Sequence, residues 1–384
     1  MRPNPMTAQK TQFVDLLRQY HSLKPEMDAA ILRAVGRGDF VLGEDTREFE
    51  KEFAAFNQVP FCVGVADGTD ALHLALLALG IGAGDEVIVP ANTFIASVQA
   101  ISSAGARPVL VDCEPDYYTI DVKAVERALT SRTKAIMPVH LYGHPADMDP
   151  LLQLAKDRKL FIVEDAAQAH GATYKGRPCG AMGDIGCFSF YPGKNLGAYG
   201  DGGAIVTRNP ALAEKVSLLR NHGQKVKYLH SIKGFNSRLD TVQAAVLRVK
   251  LKHLERWNEQ RRAAAARYAQ LLAETELVLP KAAPWAKPVW HLHVVQSSDR
   301  TRLQQALDAA NISHGIHYPV PVHLQESYQE LGHKPGSFPV TETLAARILS
   351  LPMFPEITET ELQRVAEACK CGEMKERASF TISH

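Results

Sequence analysis

A lysine, Lys194, stands just beyond a short apolar and aromatic run that ends at Pro192 and Gly193. Residues 186–190 have the composition of a buried strand, and the proline and glycine indicate where that strand ends. Ligands of α/β proteins bind at the carboxyl ends of the strands, so this amine would face a crevice. A lysine amine held among apolar and small residues loses its proton readily and can attack an aldehyde. The stretch therefore predicts a Schiff-base lysine, with a solvated loop lysine as the alternative.

A second group of polar residues follows the apolar residues 160–163, which predict another buried strand. Residues 164–171 hold two carboxylates, an amide and an imidazole, with small residues between them. Because ligands bind at the carboxyl ends of the strands, we expect these side chains to form a polar wall beside Lys194. Asp165 in that wall could keep a pyridine nitrogen protonated by ion pairing, which makes the ring an electron sink. The alternative is that Asp165 only caps local structure.

The segment 61–79 predicts an anion site. Residues 61–66 predict a strand and residues 71–79 a helix, with a small-residue turn between them. The free N–H groups and the positive end of the dipole of such a helix would bind a phosphate at Gly68 and Thr69. The turn matches neither a Walker A loop nor GxGxxG, so nucleoside triphosphate and Rossmann dehydrogenase sites lose support. A local N-cap formed by Thr69 or Asp70 is the alternative.

These three features together fit one cofactor, pyridoxal 5'-phosphate (PLP). Its phosphate needs an anion cup, its pyridine nitrogen a carboxylate and its aldehyde an amine. Gly68 with Thr69, then Asp165, then Lys194 offer these groups in chain order. We therefore interpret the chain as a PLP-dependent enzyme.

The elements that must position these groups alternate between strand and helix. Apolar runs at 86–89, 107–111, 133–139 and 160–163 predict strands separated by helices, which indicates an α/β fold with a mostly parallel central sheet covered on both faces. Residues 224–233 predict a loop, and residues 239–272 a long amphipathic helix between two domains. We predict a large PLP-binding domain at 1–250 and a smaller C-terminal α+β domain at 251–384, with a disordered polar tail from about Glu373.

Composition narrows the class of protein. The 384 residues carry 43 basic and 42 acidic side chains without a basic stripe, which argues against a nucleic-acid or membrane-surface partner. No apolar run reaches the roughly 18 residues that a membrane span needs. The six cysteines form no CxxC pair, which favours a reducing, cytoplasmic location.

At this point the sequence resembles the DegT/DnrJ/EryC1/StrS family of PLP-dependent sugar aminotransferases, which have the aspartate aminotransferase fold, fold type I. The resemblance runs from about Phe13 to about Cys369. Five runs carry it: residues 68–72, 92–94, 164–171, 189–195 and 236–240. Asp67 departs from the family, which more often has Ser or Asn before this Gly-Thr pair.

The resemblance implies a role for each matching residue. Lys194 would form the Schiff base, Asp165 would pair with the pyridine nitrogen, and Gln168 would lie near the phenolic oxygen. The other implied cofactor contacts are Gly68, Thr69 and Ser189 on the phosphate and Phe94 stacked on the ring. Asn236 would reach the phosphate from the neighbouring subunit, which implies an obligate homodimer with shared active sites.

Residues 315–325 resemble the subgroup that acts on 3-keto nucleotide sugars, including dTDP-3-keto-6-deoxyhexoses. The resemblance implies that His317, Tyr318 and Tyr191 touch the hexose, that His323 lies nearby, and that L-glutamate is the amino donor. A 4-keto sugar aminotransferase is the alternative in the same class. A sugar dehydratase of this fold would carry His in place of Lys194. A non-catalytic regulator would retain the fold alone or the fold with its cofactor.

Overall fold

The structure, a computed structural model, describes residues 10–373. The predicted polar tail lies outside the described residues, apart from Glu373 at the end of the last helix, and so does most of the segment before Phe13. The helices are α1 (Leu16–Arg37), α2 (Glu44–Phe56), α3 (Gly68–Leu79), α4 (Ile95–Ser103), α5 (Val122–Ala128), α6 (Met148–Arg158), α7 (Pro210–Leu219), α8 (Thr241–Leu251), α9 (Leu254–Leu271), α10 (Arg300–Ala309), α11 (Pro339–Arg347) and α12 (Glu359–Glu373). The strands are β1 (Phe61–Val65), β2 (Glu86–Pro90), β3 (Arg107–Val111), β4 (Thr133–Ile136), β5 (Phe161–Asp165), β6 (Thr173–Tyr174), β7 (Arg177–Pro178), β8 (Ile185–Ser189), β9 (Gly203–Thr207), β10 (Gln224–Val226), β11 (Leu229–His230), β12 (Ala286–Lys287), β13 (His293–Gln296) and β14 (Ile348–Leu351).

A seven-stranded sheet forms the centre of the molecule, with the order β1-β9-β8-β5-β4-β2-β3. Strand β9 runs antiparallel to both of its neighbours, and the other pairs in the sheet are parallel. The apolar strands are buried because helices cover both faces, as the sequence predicted. Asp165 pairs with Cys187, so the carboxyl ends of β5 and β8 lie side by side. The α/β fold class is confirmed.

The phenylalanines of α2 pack into the core beneath the site. The ring of Phe53 meets Phe188 edge-on at 5.0 Å, and the ring of Phe49 meets Phe190 at 5.3 Å. Edge-to-face contacts of this kind stabilise aromatic clusters beyond the area that they bury. These phenylalanines therefore belong to the core of the large sheet.

The single helix predicted at 239–272 is wrong, because the chain breaks between α8 and α9. The two helices pack into different cores. In α8, Ala245 and Val246 bury against Met27 of α1. In α9, Ala265 and Tyr268 bury in a second core, together with residues of α10, α12 and the antiparallel pair β13–β14. The division of the chain near residue 250 stays a prediction.

The loop predicted at 224–233 is also wrong. Strands β10 and β11 form an antiparallel hairpin there. Its apolar side chains point outward: Tyr228 is 79% exposed and Leu229 65% exposed. Alternation of lysines with apolar residues over only five positions made this hairpin hard to distinguish from a polar loop. Within residues 10–373, no helix is both long and apolar enough to cross a membrane.

Candidate active site

Lys194 lies in the turn that follows β8. Its backbone N–H donates a hydrogen bond to the Tyr191 carbonyl at 2.8 Å, and its side chain is partly buried. Burial lowers the pKa of the Lys194 amine to about 8, and the carboxylate of Asp165 acts in the opposite direction. A pKa this far below that of a free lysine gives a substantial fraction of neutral, nucleophilic amine near neutral pH.

Two helices hold the turn that carries Lys194. The amide nitrogen of Asn195 donates to Asn258 Oδ1 of α9 at 2.9 Å and to the Val289 carbonyl at 3.0 Å. The Lys250 ammonium of α8, itself buried, donates to the Gly197 carbonyl at 2.8 Å. These bonds fix the backbone on the carboxyl side of Lys194.

Asp165 is the last residue of β5, on the strand next to that of Lys194. Its side chain is buried, and each oxygen accepts one hydrogen bond. The Ser97 hydroxyl donates to Oδ2 at 2.7 Å, and the Ala167 N–H donates to Oδ1 at 3.1 Å. Hydrogen bonds to both oxygens stabilise the negative charge that a pyridinium partner requires.

Gly68 and Ser189 meet where α3 begins. A Cβ atom at position 68 would lie 2.5 Å from Ser189 Cβ, so only glycine allows this close approach. Asp67 caps the helix: its Oδ1 accepts the N–H groups of Thr69 and Asp70 at 2.8 and 2.9 Å. The carboxylate that departs from the family pattern is therefore engaged with the helix backbone. The helix does have a local cap, but the capping residue is Asp67 and not Thr69 or Asp70, and the phosphate contact at Gly68 and Thr69 stays a prediction.

Gln168, Tyr318 and Phe94 form one wall. The Gln168 side chain donates to the Tyr318 hydroxyl at 3.2 Å and accepts the Tyr142 N–H at 2.6 Å. The rings of Phe94 and Tyr318 lie 5.3 Å apart. Phe94 is 51% exposed, which leaves ring surface available for stacking. Tyr142 also holds the segment that contains His317 and Tyr318, because its hydroxyl donates a hydrogen bond to the His317 carbonyl.

Three buried or partly buried histidines, His170, His291 and His317, lie close enough to Lys194 for its charge to affect their pKa values. His317 hydrogen-bonds through Nδ1 to Ser350 Oγ at 2.8 Å, and burial together with the charge of Lys194 lowers its pKa to about 4. Burial and the same charge lower the pKa of His170 to about 3, and burial lowers that of His291. All three imidazoles are neutral near pH 7. The sequence indicated His317 as a sugar contact and His170 as part of the polar wall, but not His291, which lies in an apolar stretch typical of core packing.

Other residues singled out from the sequence lie in different surroundings. Tyr191 is exposed beside Lys194. Asn236 is exposed and pairs with Asn221 near the hairpin. His323 is fully buried and bonds Glu342 Oε1 at 2.9 Å, with the Phe338 ring 4.7 Å away. These contacts argue for a structural role of His323 rather than the sugar contact predicted for it.

The polar wall predicted at 164–171 is only partly present. Asp165 and Gln168 face the site, whereas Glu164, the preceding residue in β5, is completely buried in another set of contacts. Its carboxylate accepts hydrogen bonds from His140 Nε2 and from the backbone of the 180–183 turn. The alternation of side chains along a strand separates the two carboxylates.

The residues that the structure brings together fit PLP. Lys194 follows β8 and Asp165 ends the adjacent strand β5, Phe94 presents an exposed ring face, and Gly68 approaches Ser189 more closely than a larger residue would allow. This is the donor set that the aldehyde, the pyridine nitrogen, the ring face and the phosphate require. Fold and site together define a PLP-dependent transferase of fold type I.

The chain belongs to the DegT/DnrJ/EryC1/StrS aminotransferase family, whose model matches residues 21–370. The family is PLP-dependent. The dTDP-3-amino-3,4,6-trideoxy-alpha-D-glucose transaminase of Streptomyces venezuelae is 51% identical over 362 residues, which cover 94% of this chain and 96% of the relative. The X-ray crystal structure of S. venezuelae DesV in complex with a ketimine intermediate matches with a TM-score of 0.94 and 50% identity, over 96% of this chain and 100% of that chain. The erythromycin biosynthesis sensory transduction protein EryC1 of Saccharopolyspora erythraea is 50% identical over 361 residues, 94% of this chain and 99% of the relative.

Proposed function

We propose that this protein transfers an amino group from L-glutamate to the 3-keto carbon of a dTDP-linked 6-deoxyhexose, giving a 3-amino-3,6-dideoxy sugar nucleotide. The observation that carries the chemistry is the lysine amine of lowered pKa beside Asp165, at the carboxyl ends of two adjacent strands. The transaminase of S. venezuelae, half identical to this chain along nearly its whole length, supports the substrate class.

The chain's own residues would act as follows. Bound PLP supplies an electron sink that stabilises negative charge at the carbon losing its proton. Lys194 would take that proton on its amine and return it to the neighbouring carbon, because an amine with a pKa of about 8 can both accept and release a proton near neutral pH. Asp165 would hold the proton on the pyridine nitrogen. Gly68, Thr69 and Ser189 would bind the phosphate, and Gln168 would lie near the phenolic oxygen.

The sugar would lie against Tyr191, His317 and Tyr318. The neutral imidazole of His317 and the phenol of Tyr318 can both hydrogen-bond sugar hydroxyls without adding charge. The phenol is held by Gln168, which also lies on the cofactor side of the site. A movement of Tyr318 or Gln168 would therefore change the contacts made with both the sugar and the cofactor.

We also propose a homodimer in which Asn236 reaches the partner's cofactor phosphate. Asn236 is exposed next to the hairpin of β10 and β11, whose apolar side chains Tyr228 and Leu229 face outward. Large apolar side chains on a projecting hairpin are typical of an interface. The cysteines at positions 62, 113, 179, 187, 369 and 371 are free thiols, which supports a cytoplasmic location.

The test separates the two halves of the reaction. Purified protein is converted to its pyridoxamine phosphate form with L-glutamate, the donor is removed, and 3-keto and 4-keto dTDP-6-deoxyhexoses are added separately. Recovery of the PLP absorbance band with the 3-keto sugar alone is the expected result. Recovery with the 4-keto sugar alone would retain the enzyme class and refute the keto position. Conversion of sugar without net amino transfer would indicate a dehydratase.

A further inference from the structure

Two buried hydroxyl groups, those of Ser97 and Thr93, lie behind Asp165. Ser97 Oγ is 2.7 Å from Asp165 Oδ2, and Thr93 Oγ1 is 2.7 Å from Ser97 Oγ. The three residues are between 1% and 5% exposed. Ser97 belongs to α4 and Thr93 to the turn before it, so the contact joins that helix to the end of β5.

The direction of these hydrogen bonds follows from the chemistry of the groups. An ionised carboxylate can only accept, so the single hydroxyl proton of Ser97 must point to Asp165. Ser97 Oγ has then no proton left for its second contact, and the Thr93 hydroxyl must donate to it. The result is a one-way chain of donors from Thr93 through Ser97 to Asp165. Hydrogen bonds in such a chain polarise and strengthen one another.

We propose that Ser97, with Thr93 behind it, is a positioning residue for the cofactor partner Asp165. Ser97 holds Oδ2 while the Ala167 N–H holds Oδ1, so the carboxylate is fixed in one orientation. In that orientation Asp165 would pair with the pyridine nitrogen. The inference rests on the PLP-binding part of the proposed function and on no property of the sugar.

The Ser97→Ala variant deletes only the hydroxyl group that donates to Asp165. Without it we expect weaker binding of PLP and a slower half-reaction with glutamate, each by about tenfold, because a hydrogen bond to a charged group contributes that much. The Michaelis constant for glutamate should stay unchanged, and the absorbance of bound PLP should depend differently on pH. Ser102→Ala is the matched control, since Ser102 lies exposed on the same helix and bonds only the Val98 carbonyl, at 3.4 Å.

Thr93→Val and Thr93→Ser test the same chain from its far end. Valine has nearly the shape of threonine but cannot donate to Ser97, whereas serine retains the hydroxyl. The valine variant should change PLP affinity and the pH dependence of the absorbance in the direction seen for Ser97→Ala, and the serine variant should restore both.

Two results would overturn the proposal. One is PLP affinity and absorbance in Ser97→Ala and Thr93→Val that match the Ser102→Ala control. The other is a loss of thermal stability alone, which would give these hydroxyls a purely structural role. Because PLP affinity and absorbance are measured without any sugar, failure of the proposed substrate would leave this test intact.

Discussion

Glu164→Gln is nearly isosteric, and it tests whether the buried carboxylate next to Asp165 anchors the end of β5. Four donors surround Glu164, which is completely buried. Met182 and Gly183 donate their N–H groups to Oε1 at 2.7 and 2.6 Å, and Gly180 donates to Oε2 at 2.7 Å. The fourth donor is His140 Nε2, at 2.9 Å from Oε2.

Replacing one carboxylate oxygen by an amide NH₂ places donors opposite donors. If the NH₂ takes the Oε1 position, it faces two backbone N–H groups. If it takes the Oε2 position, it faces the Gly180 N–H and His140 Nε2–H. The imidazole cannot adapt by moving its proton to Nδ1, because Nδ1 accepts the Ala146 N–H at 3.0 Å.

Two buried donors therefore lose their acceptor in either orientation. At about 1 to 3 kcal/mol for each unsatisfied buried group, the free energy of unfolding should fall by about 2 to 6 kcal/mol. The assay is urea unfolding of the PLP-loaded protein, followed by tryptophan fluorescence and by cofactor absorbance. Glu48→Gln is the control, because this glutamate pairs with Lys51 at the surface and its replacement should leave the urea midpoint nearly unchanged. A Glu164→Gln midpoint equal to that of the control would refute the reasoning.

Three further predictions concern the site and its surroundings. Gly68→Ala places a Cβ atom 2.5 Å from Ser189 Cβ, and we expect it to weaken PLP binding by about tenfold or more and to destabilise the fold by about 1 to 3 kcal/mol. Gly36→Ala, in a helix with open space around the position, should instead be neutral or stabilising; equal effects in the two variants would contradict this explanation. His323→Gln should lower the thermal midpoint and leave the Michaelis constant for the sugar unchanged, because its imidazole is buried and hydrogen-bonded to Glu342; a raised constant would restore the sugar contact. The rate at which PLP attaches to Lys194 in the apoprotein should rise with pH and level off above a pH of about 8, since the neutral amine is the reactive form; a rise that continues toward pH 10 would contradict the lowered pKa.

Much of the fold could be predicted from the sequence because the parallel strands are apolar throughout and end at small or polar residues. Strand β3 has the predicted bounds of 107–111. The convergence of Gly68, Asp165 and Lys194 followed from the rule that strand carboxyl ends meet at one edge of the sheet. The same rule identified the cofactor class before any contact was known.

What could not be predicted depends on contacts between distant segments. In the sequence, Ser97 is one of several small residues in a helix. Only the fold brings Asp165 of β5 within hydrogen-bond distance of it. His291 becomes a neighbour of Lys194 only when the C-terminal region packs against the large sheet. Glu164 and His323 are residue types that are common in active sites, but tertiary packing directs both side chains into buried hydrogen bonds.

The most direct test of the central claim is the half-reaction with an amino donor in the absence of sugar. PLP-loaded protein is mixed with L-glutamate, and 2-oxoglutarate is measured together with the loss of the PLP absorbance band. We expect about one equivalent of 2-oxoglutarate per subunit from the native protein. A folded Lys194→Ala variant should form none. Absence of a keto acid from the native protein with glutamate and with every other proteinogenic amino acid would contradict the account, and so would normal turnover by Lys194→Ala.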